Sequence, residues 1–244
     1  MSRYKAVVAY EGSLFKGWQV QPQSISVQGC IEKTLSRMEK SEVSITGAGR
    51  TDRGVNALGQ VFHFDSELKI PIERFALAIN NQLTDGIHIR SIEEVSDSFH
   101  ARKDALWKRY RYKIELGEYQ LFDRYHVLQL NRDLDIEAMK QVSKLFVGTH
   151  DFTSFNTTPL SIRPVQVKTI YEISFTQVGS QLWIDYVGNS FLRYMVRMLT
   201  QTMINVGLHK LEYQEVERLL LARQKGLVFY NAKPEGLTLM EVHY

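Results

Sequence analysis

The sequence is short of cysteine: Cys30 is the only one among 244 residues. A single thiol forms neither an internal disulfide nor a multi-thiolate metal site, so a disulfide-built fold is excluded and a reducing compartment is expected. Long apolar runs are missing too, and none approaches the roughly 20 residues of a membrane span. Near the amino terminus Arg3 and Lys5 precede only the short apolar run Ala6 to Tyr10, which Glu11 ends. That is too little for the core of a cleaved export signal, and the cytoplasm is the expected location. No sign of charge dominates, since 30 basic and 27 acidic residues leave a net charge of +3. No repeat or low-complexity segment is present.

What is present is an ordinary globular composition, 44% hydrophobic and 23% charged. It rules out a coiled-coil or collagen-like fibre or a long disordered chain. A chain of this length buries most of its apolar surface without staples. The even overall balance hides a local excess. Between positions 102 and 113 stand Arg102, Lys103, Lys108, Arg109, Arg111 and Lys113 against Asp104, with Trp107, Tyr110 and Tyr112 among them. Cations interleaved with aromatics suit a polyanion that also carries stackable bases, which means RNA or single-stranded DNA. Charge alone favours the plainer reading, a solvated strand face.

The pattern along the chain predicts a strand over Tyr4–Tyr10, then a helix capped by Ser26 with Val27, Ile31, Leu35 and Met38 on one face. Val43–Thr46 and Gln60–Phe64 read as strands around a glycine-rich loop, Pro71 opens a second helix, and Ile87–Ile92 reads as a strand. The second half offers a basic strand over Leu106–Leu116, a helix over Ile136–Phe146, and a hairpin of Val165–Phe175 with Leu182–Val187 across Gly179-Ser180. A long helix capped by Asn189 or Ser190 and ending at Gly207 follows, then a short helix with Val216 and Leu220, and a last strand over Leu237–Val242. The class is α+β: two ferredoxin-like or RRM-like halves, 1–103 and 104–244, with largely antiparallel sheets joined around a central basic cleft.

The least ordinary stretch is Thr46 to Gln60, TGAGRTDRGVNALGQ. Its glycines permit sharp turns and close approach to a ligand. It is no P-loop, since Val55 rather than Lys follows Gly54, and no dinucleotide fingerprint, since Asp52 stands where the third glycine belongs. That leaves Asp52 between Arg50 and Arg53. A carboxylate beside guanidinium groups should stay ionised, which suits a nucleophile or electrostatic stabiliser rather than a general acid. A surface turn with an Asp–Arg pair reads the same way. Tyr110 sits on the apolar side of the basic strand, as a core tyrosine would. Arg193, Arg197 and Gln201 recur at spacing four on the long helix, placed for a carboxylate, a phosphate or solvent. Metal and hydrolase signatures are absent: there is no HExxH and no GxSxG, and His63 with Asp65 or His150 with Asp151 are local pairs only.

Taken together, several segments resemble the tRNA pseudouridine synthase A family almost from end to end. They are Tyr10-Glu11-Gly12 with Gly17-Trp18-Gln19, Ser26-Val27-Gln28-Gly29, and Gly49-Arg50-Thr51-Asp52 with Gly54-Val55 and Ala57-Leu58-Gly59-Gln60. Phe99-His100-Ala101-Arg102, Lys108-Arg109-Tyr110-Arg111-Tyr112, Asp151 to Phe155, Phe191-Leu192 with Met195-Val196-Arg197, and Gly236-Leu237 complete the set in order.

The resemblance implies isomerisation of uridine to pseudouridine in the anticodon stem-loop of tRNA, at positions 38 to 40, by a homodimer without metal or other cofactor. It implies that Asp52 is the catalytic aspartate, that Tyr110 stacks on the target base, and that Leu237 closes the opposite side of the slot. Arg197 matches an arginine that pairs with the aspartate, and Arg50 one that fills the space left by the flipped nucleotide. Arg102, Lys108, Arg109 and Arg111 match the RNA-binding strand region. The chain departs from the family pattern at Asn56, usually histidine, at Thr238, usually tyrosine, and over Met198–Gln201. A paralogue acting on another tRNA or ribosomal RNA uridine, a non-catalytic RNA-binding module, and a magnesium nuclease using Asp52 with Asp65 or Asp151 are the rival readings.

Overall fold

Alternation fixes the first strand. In β1 (Ser2–Tyr10) the residues Tyr4, Ala6, Val8 and Tyr10 are buried while those between are half-exposed. The structure, a computed structural model, describes residues 1–244 and divides into two compact units, 1–106 with 238–244 and 107–237. None of its helices is long and apolar enough to cross a membrane.

The first unit follows β1 with α1 (Val27–Glu39), β2 (Thr46–Gly47), β3 (Asn56–Ser66), α2 (Ile72–Asn80) and β4 (Ile87–Val95). This β-α-β-β-α-β order is the ferredoxin-like one. β1 runs antiparallel to both β3 and β4, and β2 pairs antiparallel with β3. Ser26 caps α1 by accepting from the Gly29 amide, as its position before the apolar stripe requires. Tyr4 stacks on Phe64 and meets Phe75 of α2 edge-on with ring centroids 5.1 Å apart, which fixes that helix on the sheet. The closing strand of the chain, Leu237–His243, returns to this unit and runs parallel to β3, Thr238 opposite Asn56.

One expected strand is much shorter. Only Thr46–Gly47 pairs with β3, although Val43 and Ile45 are buried as the alternation suggests. Their amides bond instead to side chains of α1, Val43 to the Ser36 hydroxyl at 2.9 Å and Ile45 to the Glu32 carboxylate at 3.0 Å. With those donors satisfied, no strand partner is needed.

The second unit holds β5 (Trp107–Glu115), β6 (Leu128–Gln129), α3 (Ile136–Ser143), β7 (Gly148–Asp151), β8 (Val167–Val178), β9 (Gln181–Gly188), α4 (Met195–Gly207) and α5 (Tyr213–Ala222); the closing strand is β10. β5, β9, β8 and β7 are neighbours in that order and antiparallel, with β6 alongside β5 in parallel. Tyr112, Ile114, Ile184 and Tyr186 are fully buried on one face of this sheet. The class is therefore α+β with largely antiparallel pairing.

The long helix differs from its expected start. It begins at Met195, not after Asn189 or Ser190, because Asn189 extends the β8–β9 pairing: its amide donates to the Thr169 carbonyl and its side chain accepts from the Thr169 amide. Tyr194 then adopts a left-handed conformation (φ 63°), which blocks any helix running through it. Arg193 consequently lies outside the helix, leaving Arg197 and Gln201 to share a face.

Candidate active site

The loop from Gly47 to Asn56 is held down on both sides of Asp52. Before it, the Ala48 amide donates to the Val61 carbonyl at 2.7 Å, and Gln60, itself fully buried, donates from Nε2 to the Gly49 carbonyl at 3.1 Å. Thr51 is gripped twice: its carbonyl accepts from the Trp18 amide at 3.1 Å, and its hydroxyl lies 2.7 Å from the Tyr10 hydroxyl. After it, the Asp52 carbonyl accepts from the Val55 amide, closing a turn in which Gly54 takes φ 81°. Asn56 starts β3, and its Oδ1 accepts from the Gly12 amide at 2.8 Å. Asn56 thus pins the loop to the chain after β1.

Close packing explains two glycines of the opposite segment. A Cβ on Gly12 would come 2.3 Å from the Val55 carbonyl oxygen, and one on Gly17 would reach 3.0 Å from that of Thr51. The loop therefore lies backbone on backbone against residues 12–17. Asp52 is half-buried, while Arg50 and Arg53 are exposed. Burial pushes the Tyr10 hydroxyl far above the usual tyrosine pKa, so it stays a neutral partner for Thr51.

In the second unit, β5 shows the expected alternation. Lys108, Tyr110 and Tyr112 are buried, and Trp107, Arg109, Arg111 and Lys113 are half-exposed. Tyr110 meets Phe191 edge-on at 5.3 Å. Arg111 forks onto Asp185, the residue opposite it on β9, at 3.0–3.1 Å, and its guanidinium lies 4.5 Å from the Trp183 ring centroid. Lys113 approaches the same indole at 5.1 Å, and burial, helped by Arg111, lowers its pKa. Cations and an aromatic ring thus share one sheet face.

Arg197 lies in the first turn of α4. Its Nε donates to the Ala232 carbonyl at 2.7 Å, and the Ala232 amide donates back to the Arg197 carbonyl. Its guanidinium also lies 4.9 Å from the Tyr194 ring centroid. Leu237, at the start of β10, is buried. Arg50 and Asp52 thus belong to the first unit, with the exposed Arg102; Tyr110, Lys108, Arg109, Arg111, Arg197 and Leu237 belong to the second.

The local pairs set aside at the sequence level have structural partners. Asp65 takes a bidentate bond from Arg3, and Asp151 accepts from the amide and hydroxyl of Thr153. His63 accepts from the Ala101 amide. No group of three or more His, Cys, Asp or Glu side chains is placed to hold a metal ion.

Sequence reading missed the polar neighbours of the loop and of the basic strand. Tyr10 was visible only as part of a motif, and Trp183 and Asp185 carried no signal that would tie them to Arg111. Both links join residues far apart in the chain.

A family model described as tRNA pseudouridine synthase matches residues 6–103 and 142–244. The chain belongs to the tRNA pseudouridine synthase family. Relatives bearing the name tRNA pseudouridine synthase A agree along its whole length. The protein of Exiguobacterium sp. is 41% identical over 244 residues, covering 100% of this chain and 98% of its own. That of Brevibacillus brevis is 40% identical over 245 residues, 100% of both chains. One from Listeria monocytogenes serotype 4a is 43% identical over 248 residues, again 100% of both. The family model takes in the Asp52 loop, Arg197 and Leu237, whereas β5 with Tyr110 falls between its two matched segments and is covered only by the full-length relatives.

Proposed function

We propose that this tRNA pseudouridine synthase acts on the anticodon stem-loop, at positions 38 to 40, with Asp52 as its reactive carboxylate. The observation that carries the reading is the placement of Asp52. Within a chain related to tRNA pseudouridine synthases over its whole length, it projects from a turn whose backbone is fixed immediately before and after it.

The chemistry is a rearrangement in which no atom is gained or lost. The Asp52 carboxylate attacks either the ribose anomeric carbon or the uracil ring, and the glycosidic carbon–nitrogen bond breaks. The freed uracil rotates in place, a carbon–carbon bond to the ribose forms, the bond to Asp52 is released, and the ring carbon gives up its proton to solvent while the nitrogen that left the ribose takes one up. Attack requires an ionised oxygen held at a defined distance and angle, which a fixed turn supplies. Tyr110 stacks on the base and Leu237 faces it from the other side. Arg197 pairs with Asp52, keeping it ionised, and Arg50 fills the gap left in the RNA stack. Everting a nucleotide costs a few kcal/mol. Arg102, Lys108, Arg109 and Arg111 offset that cost through phosphate attraction and counterion release. The active assembly is a homodimer in the cytoplasm.

Incubating unmodified tRNA with the purified protein and mapping pseudouridine by nucleotide tests this directly. New pseudouridine confined to positions 38 to 40 is the expected result. Modification elsewhere in tRNA or in ribosomal RNA would replace the assigned target, and intact RNA with no pseudouridine would leave only a binding module.

A further inference from the structure

We propose that the Tyr10 hydroxyl, acting through Thr51, is a positioning group for Asp52: it fixes the stretch of backbone from which the carboxylate projects. The inference rests on the reading of Asp52 as the reactive group and deepens it.

Four observations carry it. Tyr10 and Thr51 are both buried, 5% and 7% exposed, and their hydroxyls meet at 2.7 Å across 41 positions of sequence. Thr51 immediately precedes Asp52, so rotation about its backbone would swing the carboxylate directly. The Thr51 carbonyl is held separately by the Trp18 amide, so side chain and main chain of that residue are fixed by two different parts of the first unit. Gln60, fully buried, anchors the same loop two residues before Thr51, donating to the Gly49 carbonyl.

Filling space does not require this chemistry. Phenylalanine and valine would occupy the same volume without taking two hydroxyls out of water, and such a paired replacement is close to neutral for stability. What the hydroxyl pair adds is direction, because a hydrogen bond between buried groups has a preferred length and angle where apolar contact has none. A reacting oxygen benefits from that restriction, since a displacement of about 1 Å costs on the order of 100-fold in rate.

The test reads four variants, Tyr10→Phe, Tyr10→Phe/Thr51→Val, Thr51→Ser and Asp52→Asn, for kcat and KM of pseudouridine formation in tRNA and for melting temperature. In Tyr10→Phe kcat should fall on the order of tenfold while KM stays within about twofold, the pattern of a lost transition-state arrangement. In the double variant the melting temperature should return towards that of the wild type while kcat stays low. Thr51→Ser keeps the hydroxyl and should keep kcat. Wild-type kcat in Tyr10→Phe, or recovery of kcat together with melting temperature in the double variant, would overturn the positioning role. Full activity of Asp52→Asn would instead overturn the reading of Asp52 itself. Because that outcome comes from a separate variant, the two failures are told apart.

Discussion

The Asp52 loop and the β5 strand hold their polar groups by different means. The backbone of the loop that carries Asp52 is anchored by bonds that are neutral and mostly buried: a hydroxyl pair, amides on carbonyls, and the carboxamide of Asn56 on the Gly12 amide. On β5 the partners are charged, with half-exposed Arg111 forked onto buried Asp185 and both Arg111 and Lys113 against Trp183. Neutral buried bonds are indifferent to salt and to moderate changes of pH, whereas half-exposed cations are screened by ions. On the reading proposed above, the difference matches two tasks, holding one oxygen still and attracting an RNA backbone, with geometry assigned to the loop and long-range attraction to the strand.

That comparison can be broken most severely at Gly12. Gly12→Ala places a methyl group 2.3 Å from the Val55 carbonyl, so the segment under the loop must move. Stability should fall by about 1–3 kcal/mol in a thermal melt. Activity of the folded protein should fall on the order of 100-fold with tRNA affinity retained. An active Gly12→Ala enzyme would show that the loop tolerates displacement.

A smaller effect sharpens the other side. Arg109→Gln on β5 should weaken tRNA binding uniformly across sequences and lower the slope of log Kd against log salt by about one. Tyr10→Phe, measured in parallel, should leave that slope unchanged. A change of slope in Tyr10→Phe would mean that the loop network also serves RNA attraction.

The smallest effect concerns pH. Burial, with help from Arg3 and His100, holds the His63 pKa below its ordinary value of 6.5, and the unprotonated Nδ1 accepts from the Ala101 amide. The folded state therefore binds this proton less readily than the unfolded chain. The contribution is present above about pH 6.5 and is lost as pH falls through the folded-state pKa. Thermal melts of the wild type should drop on acidification below that point, and those of His63→Gln should drop less. Equal slopes in the two proteins would remove His63 from the account of acid sensitivity.

Much of this was legible in the sequence where the cause is local. The Ser26 cap, the Gly179-Ser180 hairpin and the alternating faces of β5 each follow from neighbours within a few residues. Glycines and one aspartate between arginines marked the loop for the same reason. What was not legible depends on partners far along the chain. Val43 and Ile45 have a strand's alternation, yet their amides are taken by Ser36 and Glu32. Asn189 looks like a helix cap until Thr169 engages it. The last seven residues join the first unit through pairing with β3, and Tyr10 reaches Thr51 only once β1 and the loop are folded together.

The most direct measurement is release of tritium from tRNA labelled at the uracil carbon that forms the new bond, comparing wild type with Asp52→Asn. Expected is release by the wild type and none above background by Asp52→Asn, although the variant folds and binds the same tRNA. Release at the wild-type rate from Asp52→Asn would contradict a reactive carboxylate at this position.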